Sequence, residues 1–449
     1  MRSRGITHRK PLSSRAKRWV AAIAIIAGTG LCFVAWYSIA TAPTPEGWYR
    51  RIETRIHVNS FWSDGTSFFI YGTGSSGYVL KKLDAEGNLV WNQWSNDESR
   101  GYSVWGDGSW VYTCSDQFYP SIEKRDASTG QLQWNVTLTE VRADGISDRA
   151  IFGAGNAIYA CGSIFFQLAV IKLNATSGAQ LWNRTVGLVE PVNGVSVWTD
   201  GTFVFTTGYE YNSSNGIREQ LLVKWDKDGN QLWNRTWDRA YVNEQMGFRI
   251  SVWGDMTGNI YTLSSTARPS STPRNQTDML LIKWNADGDQ LWNRTWGGPS
   301  DERGRSLWGD GTSIFTSGNS FKAIITKWES GGTIQWNQLW GSKNREYLIK
   351  SSWGYGTGLY TICYEYPPLG GTTQSYYLIR WDAATGATQH IIDVDWWLVA
   401  IVYGSVATVT IIVIGGGPAI MKAIKNHKKS RIVPRGIDPQ ACNIRDHQS

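Results

Sequence analysis

Two stretches of this chain are apolar without interruption, and the long segment between them is not. Trp19 to about Ala42 and Trp396 to about Met421 contain no Lys, Arg, Asp or Glu. Each reaches the roughly 20 apolar residues that cross a bilayer as a helix. Aromatic residues sit near their ends, at Trp19, Trp36, Tyr37, Trp396 and Trp397, where an interfacial belt belongs. The pattern predicts one transmembrane helix at each end, 19–42 and 396–421. In between, apolar positions occur in short runs of β-branched and aromatic residues separated by Gly- and Asp-rich turns, the composition of half-buried strands. Residues 249–253, 259–263, 279–284 and 290–296 show the rhythm: four short strands, with tight turns at Gly254–Gly258 and Ala286–Asp289.

The same rhythm returns. An aromatic anchor, most often followed by Gly-Asp-Gly or a relative of it, stands at Trp62, Trp105, Phe152, Trp198, Trp253, Trp308 and Trp353. Subtraction gives intervals between 43 and 55 residues. After each anchor comes Lys-x-Asp/Asn-x-x-Gly-x-x-Leu-Trp-Asn or a variant, as in Lys224 to Asn234 and Lys283 to Asn293, with a degenerate last copy at Arg380–Gly386. Four strands per period of roughly 40–50 residues make a propeller blade. The fold class is therefore all-β: a seven-bladed β-propeller of four-stranded blades over residues 46–392, flanked by the two helices. Trp48 precedes Trp62 by the 14 residues that separate Trp91 from Trp105. Residues 47–51 are thus expected to supply the outer strand of the last blade and close the ring, in competition with 387–392. The repeating Trp columns, including Trp62, Trp105, Trp198, Trp253, Trp308 and Trp353, read as packing between blades.

Charge fixes the expected topology. The chain carries a net +7, from 44 Lys and Arg against 37 Asp and Glu. Residues 1–18 and 422–449 hold fourteen of the basic residues and two acids, which leaves the middle at −5. Short basic flanks stay cytoplasmic, so both tails (1–18 and 422–449) are expected inside, touching anionic lipid headgroups, and the propeller outside at the plasma membrane. A mildly acidic folded part argues against nucleic acid as a partner. A cleaved signal peptide at Ala40-Thr41-Ala42 is the competing reading of the first apolar run, which is longer than such segments usually are. Cys114, Cys161 and Cys363 end the same strand of three blades and read as small buried thiols, too far apart to bridge.

The repeat resembles the β-propeller repeats of bacterial and archaeal surface proteins (the SBBP type), through Ser306-Leu307-Trp308-Gly309-Asp310-Gly311 and Lys82-Leu83-Asp84 with Gly87 and Trp91. It is also similar to the pyrroloquinoline-quinone-like repeat, through Asp126–Gly130 and Asp382–Gly386. The second resemblance implies eight blades, a calcium ion and often an adjacent cysteine pair. Seven repeats are present and that pair is not.

Candidate chemistry is thin. Asp226–Asn230 and Asn285–Asp289 alternate oxygen side chains as calcium loops do, yet both fall at hairpin turns. His57 and His390 are the only histidines of the middle segment and read as surface or packed side chains. No catalytic constellation, metal site or cofactor is expected. Seven Asn-x-Ser/Thr acceptors, at Asn135, Asn174, Asn183, Asn212, Asn234, Asn275 and Asn293, predict N-glycosylation on an outside domain. Long connections are expected at Tyr209–Arg218, Ser264–Asp278, Tyr364–Tyr376 and Asp238–Gly247, all on one face. Tyr and Arg favour binding centres, so Tyr209, Tyr211, Arg218, Arg268, Arg274, Tyr364, Tyr366 and Tyr376 are the candidate contacts for an extracellular protein or glycan. The expected work is binding, adhesion or scaffolding. The alternatives are an extracellular ligand sensor, for which the cytoplasmic tails are short, and a quinoprotein-like oxidoreductase.

Overall fold

The computed structural model describes residues 48–53 and 56–388, apart from 117–118, 140–149, 165–166, 188–191, 213–216, 238–248, 256, 268–276, 299, 343–344 and 367–374. Both apolar runs and both basic tails lie outside the described residues. Among those described, no helix is long and apolar enough to cross a membrane.

Seven four-stranded antiparallel sheets make seven blades. Six are consecutive in sequence: blade 1 spans 57–94, blade 2 100–137, blade 3 151–186, blade 4 192–237, blade 5 251–296 and blade 6 303–340. Blade 7 takes Tyr347–Tyr355, Gly358–Glu365 and Ser375–Asp382 from the end of the chain and Trp48–Glu53 from its beginning. Of the two candidates for the closing strand, the N-terminal one is used. Its register is Trp48↔Arg380 through Glu53↔Ser375, so the chain enters and leaves the propeller side by side.

The Lys and Trp-Asn columns clamp each blade to the next. Lys124 Nζ (2.8 Å) and Trp134 Nε1 (3.2 Å) of blade 2 both donate to the Ala175 carbonyl oxygen in a hairpin turn of blade 3. Blade 3 grips Lys227 O of blade 4 through Lys172 (2.8 Å) and Trp182 (3.2 Å). Blade 4 grips Ala286 O of blade 5 through Lys224 (2.8 Å) and Trp233 (3.1 Å). Blade 5 grips Ser330 O of blade 6 through Lys283 (3.0 Å) and Trp292 (3.3 Å). Burial pushes the ammonium groups of Lys124, Lys172 and Lys224 below their ordinary pKa, and the shared carbonyl offsets that desolvation. The closing strand keeps part of this chemistry, because Arg50 Nε donates to Glu86 O of blade 1 (3.3 Å) as Arg235 Nε donates to Gly288 O (2.8 Å). Gly288 has φ +82°, the left-handed conformation that makes Gly the residue of choice in this turn.

A third Trp column stitches four of the seven sheets internally. In blades 4 to 7, Trp225, Trp284, Trp328 and Trp381 are buried and donate to Thr206, Thr262, Thr316 and Thr361 Oγ1 of the adjacent strand at 2.9–3.1 Å. The apolar core lies between facing sheets. Leu168 and Val170 of blade 3, for example, pack with Val197, Val204, Leu221 and Val223 of blade 4.

Two expectations change in detail. The inner strand of blade 5 is Ser251–Gly254, so Arg249 and Ile250 precede it. Strand extends into both ends of the connections Tyr209–Arg218, Ser264–Asp278 and Tyr364–Tyr376. Tyr211 pairs with Arg218, Ala267 with Thr277 and Tyr364 with Tyr376, because alternating aromatic and β-branched residues continue the pleat outward.

Candidate functional site: the central channel and its mouth

The inner strands surround a channel, and the anchor aromatics fill it. Five of the seven anchor rings reach toward the residue that follows the anchor of the next blade. That residue is Gly106 opposite Trp62, Gly153 opposite Trp105, Gly254 opposite Trp198 and Gly354 opposite Trp308, and a Cβ at any of them would overlap the ring. Trp253 meets Gly309 through its pyrrole edge instead, with Nε1 2.9 Å from the Cβ position. At the two remaining junctions the corresponding residue is Ser63 or Thr199. Each hydroxyl is tied into its own turn: Ser63 Oγ donates to Ser67 O (2.9 Å) and accepts from Gly65 N (3.0 Å), and Thr199 Oγ1 donates to Phe203 O (2.7 Å) and accepts from Gly201 N (3.0 Å). The rings facing those two residues, Trp353 and Phe152, turn into the channel. They meet Trp253 there, with centroids 5.8 Å (Trp253–Trp353), 6.0 Å (Phe152–Trp253) and 6.3 Å (Phe152–Trp353) apart. The two contacts of Trp253 are edge-to-face, an arrangement that aromatic quadrupoles favour. The cavity that remains is about 10 Å³ and has one polar lining residue, Ser351, which is space for about one water. An aromatic quinone cofactor with a calcium ion does not fit this channel.

Above the plug, where the inner strands begin, Arg249, Lys350 and the His57 imidazole converge from three blades. Arg249, ahead of the inner strand of blade 5, donates through Nη1 to the backbone carbonyl of Lys350 in blade 7 (3.3 Å), reaching past blade 6. Lys350 Nζ lies 3.4 Å from His57 Nε2 of blade 1, and His57 Nδ1 lies 3.0 Å from Asn59 Oδ1. With Nδ1–H donated to Asn59, Nε2 is the acceptor and Lys350 the donor. Burial first, then the Lys350 and Arg249 charges, hold the His57 pKa below the ordinary imidazole value, against the hydrogen bond to Asn59. Lys350 and Asn59 occupy bulges in their inner strands, where the register skips between Ile349 and Ser351 and between Val58 and Ser60. A bulge re-aims one side chain out of the pleat.

The structure sorts the residues singled out from sequence. Tyr209 is buried against Val195 and Ile250, and Tyr376 is buried with its hydroxyl accepting from Val58 N (3.1 Å). Tyr211 and Tyr366 are exposed. Tyr364 is half-buried, with its ring centroid 4.9 Å from that of Tyr366 and 5.2 Å from that of Tyr376. Arg218 is on a strand opposite Tyr211. Arg268 and Arg274 lie outside the described residues.

Among the glycosylation acceptors, Asn135 is exposed and Asn183 and Asn234 are half-buried. Asn212 donates to Glu219 Oε1 (2.8 Å), and Asn174 Oδ1 accepts from Thr176 N (2.9 Å) and Ser177 N (3.0 Å) within its turn. Asn293 is buried, and Asn275 lies outside the described residues. Asp226 and Asn285 spend their side-chain oxygens on their own hairpins, accepting from Asn230 N and Asp289 N (both 2.8 Å). Cys114, Cys161 and Cys363 are buried thiols. Among the described residues no group of three His, Cys, Asp or Glu side chains is placed to hold a metal ion.

No protein-family model and no curated protein matches this sequence. Solved structures match the shape. A chain in the crystal structure of the mitotic checkpoint complex aligns with TM-score 0.50 and 14% identity, over 75% of this chain and 93% of that one. A chain of Kuenenia stuttgartiensis hydrazine synthase aligns with TM-score 0.50 and 13% identity, over 69% and 94%. Identity at this level shows the propeller fold and no more, and propellers host unrelated functions.

Reading columns from sequence missed His57, Arg249 and Lys350 as a group. They stand five, four and three residues before their anchors, so no single column contains them. A usable signal was present in the position three before each anchor, where Asn59, Tyr102, Arg305 and Lys350 replace the expected apolar residue.

Proposed function

We propose that this protein is a membrane-anchored cell-surface propeller that binds extracellular partners on the face carrying the channel mouth. The observation behind this reading is the contrast between its two faces. One face is built from short turns whose Asp side chains are consumed internally: Asp64, Asp107, Asp200 and Asp310 each accept from backbone N–H groups two and three residues on. The other carries the extended hairpins of blades 4, 5 and 7, exposed Tyr211 and Tyr366, and the cationic mouth. The paired chain ends, Trp48 opposite Arg380, lie on the short-turn side. Two membrane spans leaving from that side would point the mouth away from the cell.

Protease protection on intact cells, with a tag at each terminus, tests the topology. Protected tags with a cleavable middle and a glycan shift that needs Asn135 or Asn275 are expected. An accessible N-terminal tag, or its loss by processing, would overturn the two-span arrangement and the outward face with it.

A further inference from the structure

The junction between blades 1 and 2 breaks the repeat from the inside. In blades 4 to 7 the residue after the Lys column (Arg380 in blade 7) is a buried Trp bonded to a Thr of the adjacent strand. In blade 2 it is Arg125. The residue before the column is Ile171, Val223, Ile282, Thr326 or Ile379 in blades 3 to 7, and Glu123 in blade 2. No other blade has an acid at the first of these positions or an arginine at the second. Arg125 donates through Nε to Glu123 Oε2 (2.9 Å) and through Nη1 to Gly130 O (3.1 Å). From across the junction, Tyr78 of blade 1 donates its hydroxyl to Glu123 Oε1 (2.7 Å) and accepts from Arg125 Nη2 (3.1 Å). All three side chains are buried. The exchange of Trp for Arg leaves Thr113, which lies opposite Glu123 as Thr206 lies opposite Val223, with its hydroxyl unpartnered.

Stability alone does not account for this group. Two ions taken out of water lose hydration that their attraction only partly returns, and apolar residues of similar volume often serve as well or better. What the group adds is discrimination. The clamps between blades end on main-chain carbonyls, at Ala127, Ala175, Lys227, Ala286, Ser330 and Ala384. Every blade has such a carbonyl, so the clamp does not tell one neighbour from another. The Glu123–Arg125 pair does. Its partner Tyr78 stands four residues before the Lys column, where blades 2, 3, 5 and 6 hold Pro120, Leu168, Met279 and Ala323. None of these has a hydrogen-bonding side chain. Gln220 of blade 4 has a shorter reach than a phenol, and the Tyr376 hydroxyl of blade 7 already accepts from Val58 N (3.1 Å).

We propose that Tyr78, Glu123 and Arg125 form a pairing key. The key selects blade 1 as the neighbour of blade 2, and so keeps similar blades, of one copy or of two, from closing in the wrong order. Exchange of units between copies is a characteristic failure of repeat proteins. The key acts whichever face of the ring points away from the cell.

The test uses the full-length protein in detergent, in two versions with different affinity tags. Both are unfolded together in urea and refolded by dilution. Capture on one tag and quantification of the other measures exchange between copies, and versions mixed after refolding give the background. The triple variant Tyr78→Leu, Glu123→Ile, Arg125→Trp installs the counterparts Leu168 and Ile171 of blade 3 and Trp225 of blade 4. Its urea midpoint should equal or exceed that of the wild type. Recovery of the second tag should rise by roughly tenfold, the order of a lost hydrogen bond to a charged group. Trp328→Phe, which removes a buried bond far from the key, should lower the midpoint and keep wild-type recovery. A triple variant whose recovery matches the wild type, or rises no further than that of Trp328→Phe, would overturn the key. If the triple variant fails to fold, Tyr78→Phe decides. It removes only the bonds across the junction, so exchange must rise above wild type, and unchanged exchange refutes the proposal.

Discussion

Gly254→Ser puts the logic of the aromatic plug under direct load. A Cβ at residue 254 would stand 2.8 Å from Cε3 of Trp198, with Cζ3 and Cη2 nearer still. Carbon atoms settle at about 3.5–4.0 Å, so the indole would have to withdraw by about 1 Å or more. Its neighbours stop it, with the Phe205 ring centroid at 5.9 Å and the Trp253 centroid at 6.0 Å. The remaining route is a turn toward the channel, as Trp353 and Phe152 make opposite Ser63 and Thr199, but three rings already occupy that space. Overpacking of a close-packed core costs about 1–3 kcal/mol, and a buried indole with no outlet belongs in the upper half of that range. Urea unfolding of the detergent-solubilised protein, followed by circular dichroism, should show a lowered midpoint with an unchanged m-value. Gly331→Ser is the control: a Cβ there has open space, so its effect should stay within about 0.5 kcal/mol. If both variants unfold alike, ring-on-glycine packing does not determine how the channel is filled.

The other predictions address the remaining layers of the fold. Trp328→Phe removes the bond to Thr316 Oγ1 and shrinks a fully buried ring, so it should cost about 1–3 kcal/mol, while Trp94→Phe, at an exposed position, should be close to neutral by the same unfolding assay. Burial pushes the phenols of Tyr159 and Tyr376 up to about 12. In the unfolded chain they ionise near 10, so the stability they contribute is complete below about pH 10 and is lost as pH rises toward about 12. Their tyrosinate absorbance should appear together with alkaline unfolding, and ionisation near pH 10 in a still-folded protein would contradict this. Arg50→Ala breaks the closing strand's grip on Glu86 O and should raise proteolytic nicking before blade 1 more than it lowers global stability. On glycosylation, Asn135→Gln should remove one glycan by mass, whereas Asn293→Gln should remove none, because Asn293 is buried.

The ring was legible because its period is longer than any local irregularity. Anchors, turn glycines and the Lys and Trp columns are each set by a contact that every blade must make with the next, so they recur. Even the closing strand could be read, since Trp48 stands at the same distance from Trp62 as Trp91 from Trp105. Burial within the long hairpins was less visible. Tyr209 and Tyr376 look like loop residues until the strands are seen to extend through them, and strand propensity alone does not say how far a hairpin continues. The mouth was the least visible, since His57, Arg249 and Lys350 come from three blades at three different offsets and only closure of the ring brings them together.

That closure has a mechanical side. Trp48 lies opposite Arg380, so the first and last residues of the ring leave from the same end of one antiparallel pair. Tension applied across those two ends would open the pair rung by rung, the weak direction for a strand ladder, whereas a pull on the opposite face would load all the rungs of the pair in parallel. A ring held by neighbouring ends would thus resist a pull on its far face only while those two ends are not drawn apart. If the two ends are anchored as proposed, anchors that stay together keep the clasp at rest, and separating them would be the quickest way to unbuckle the seventh blade.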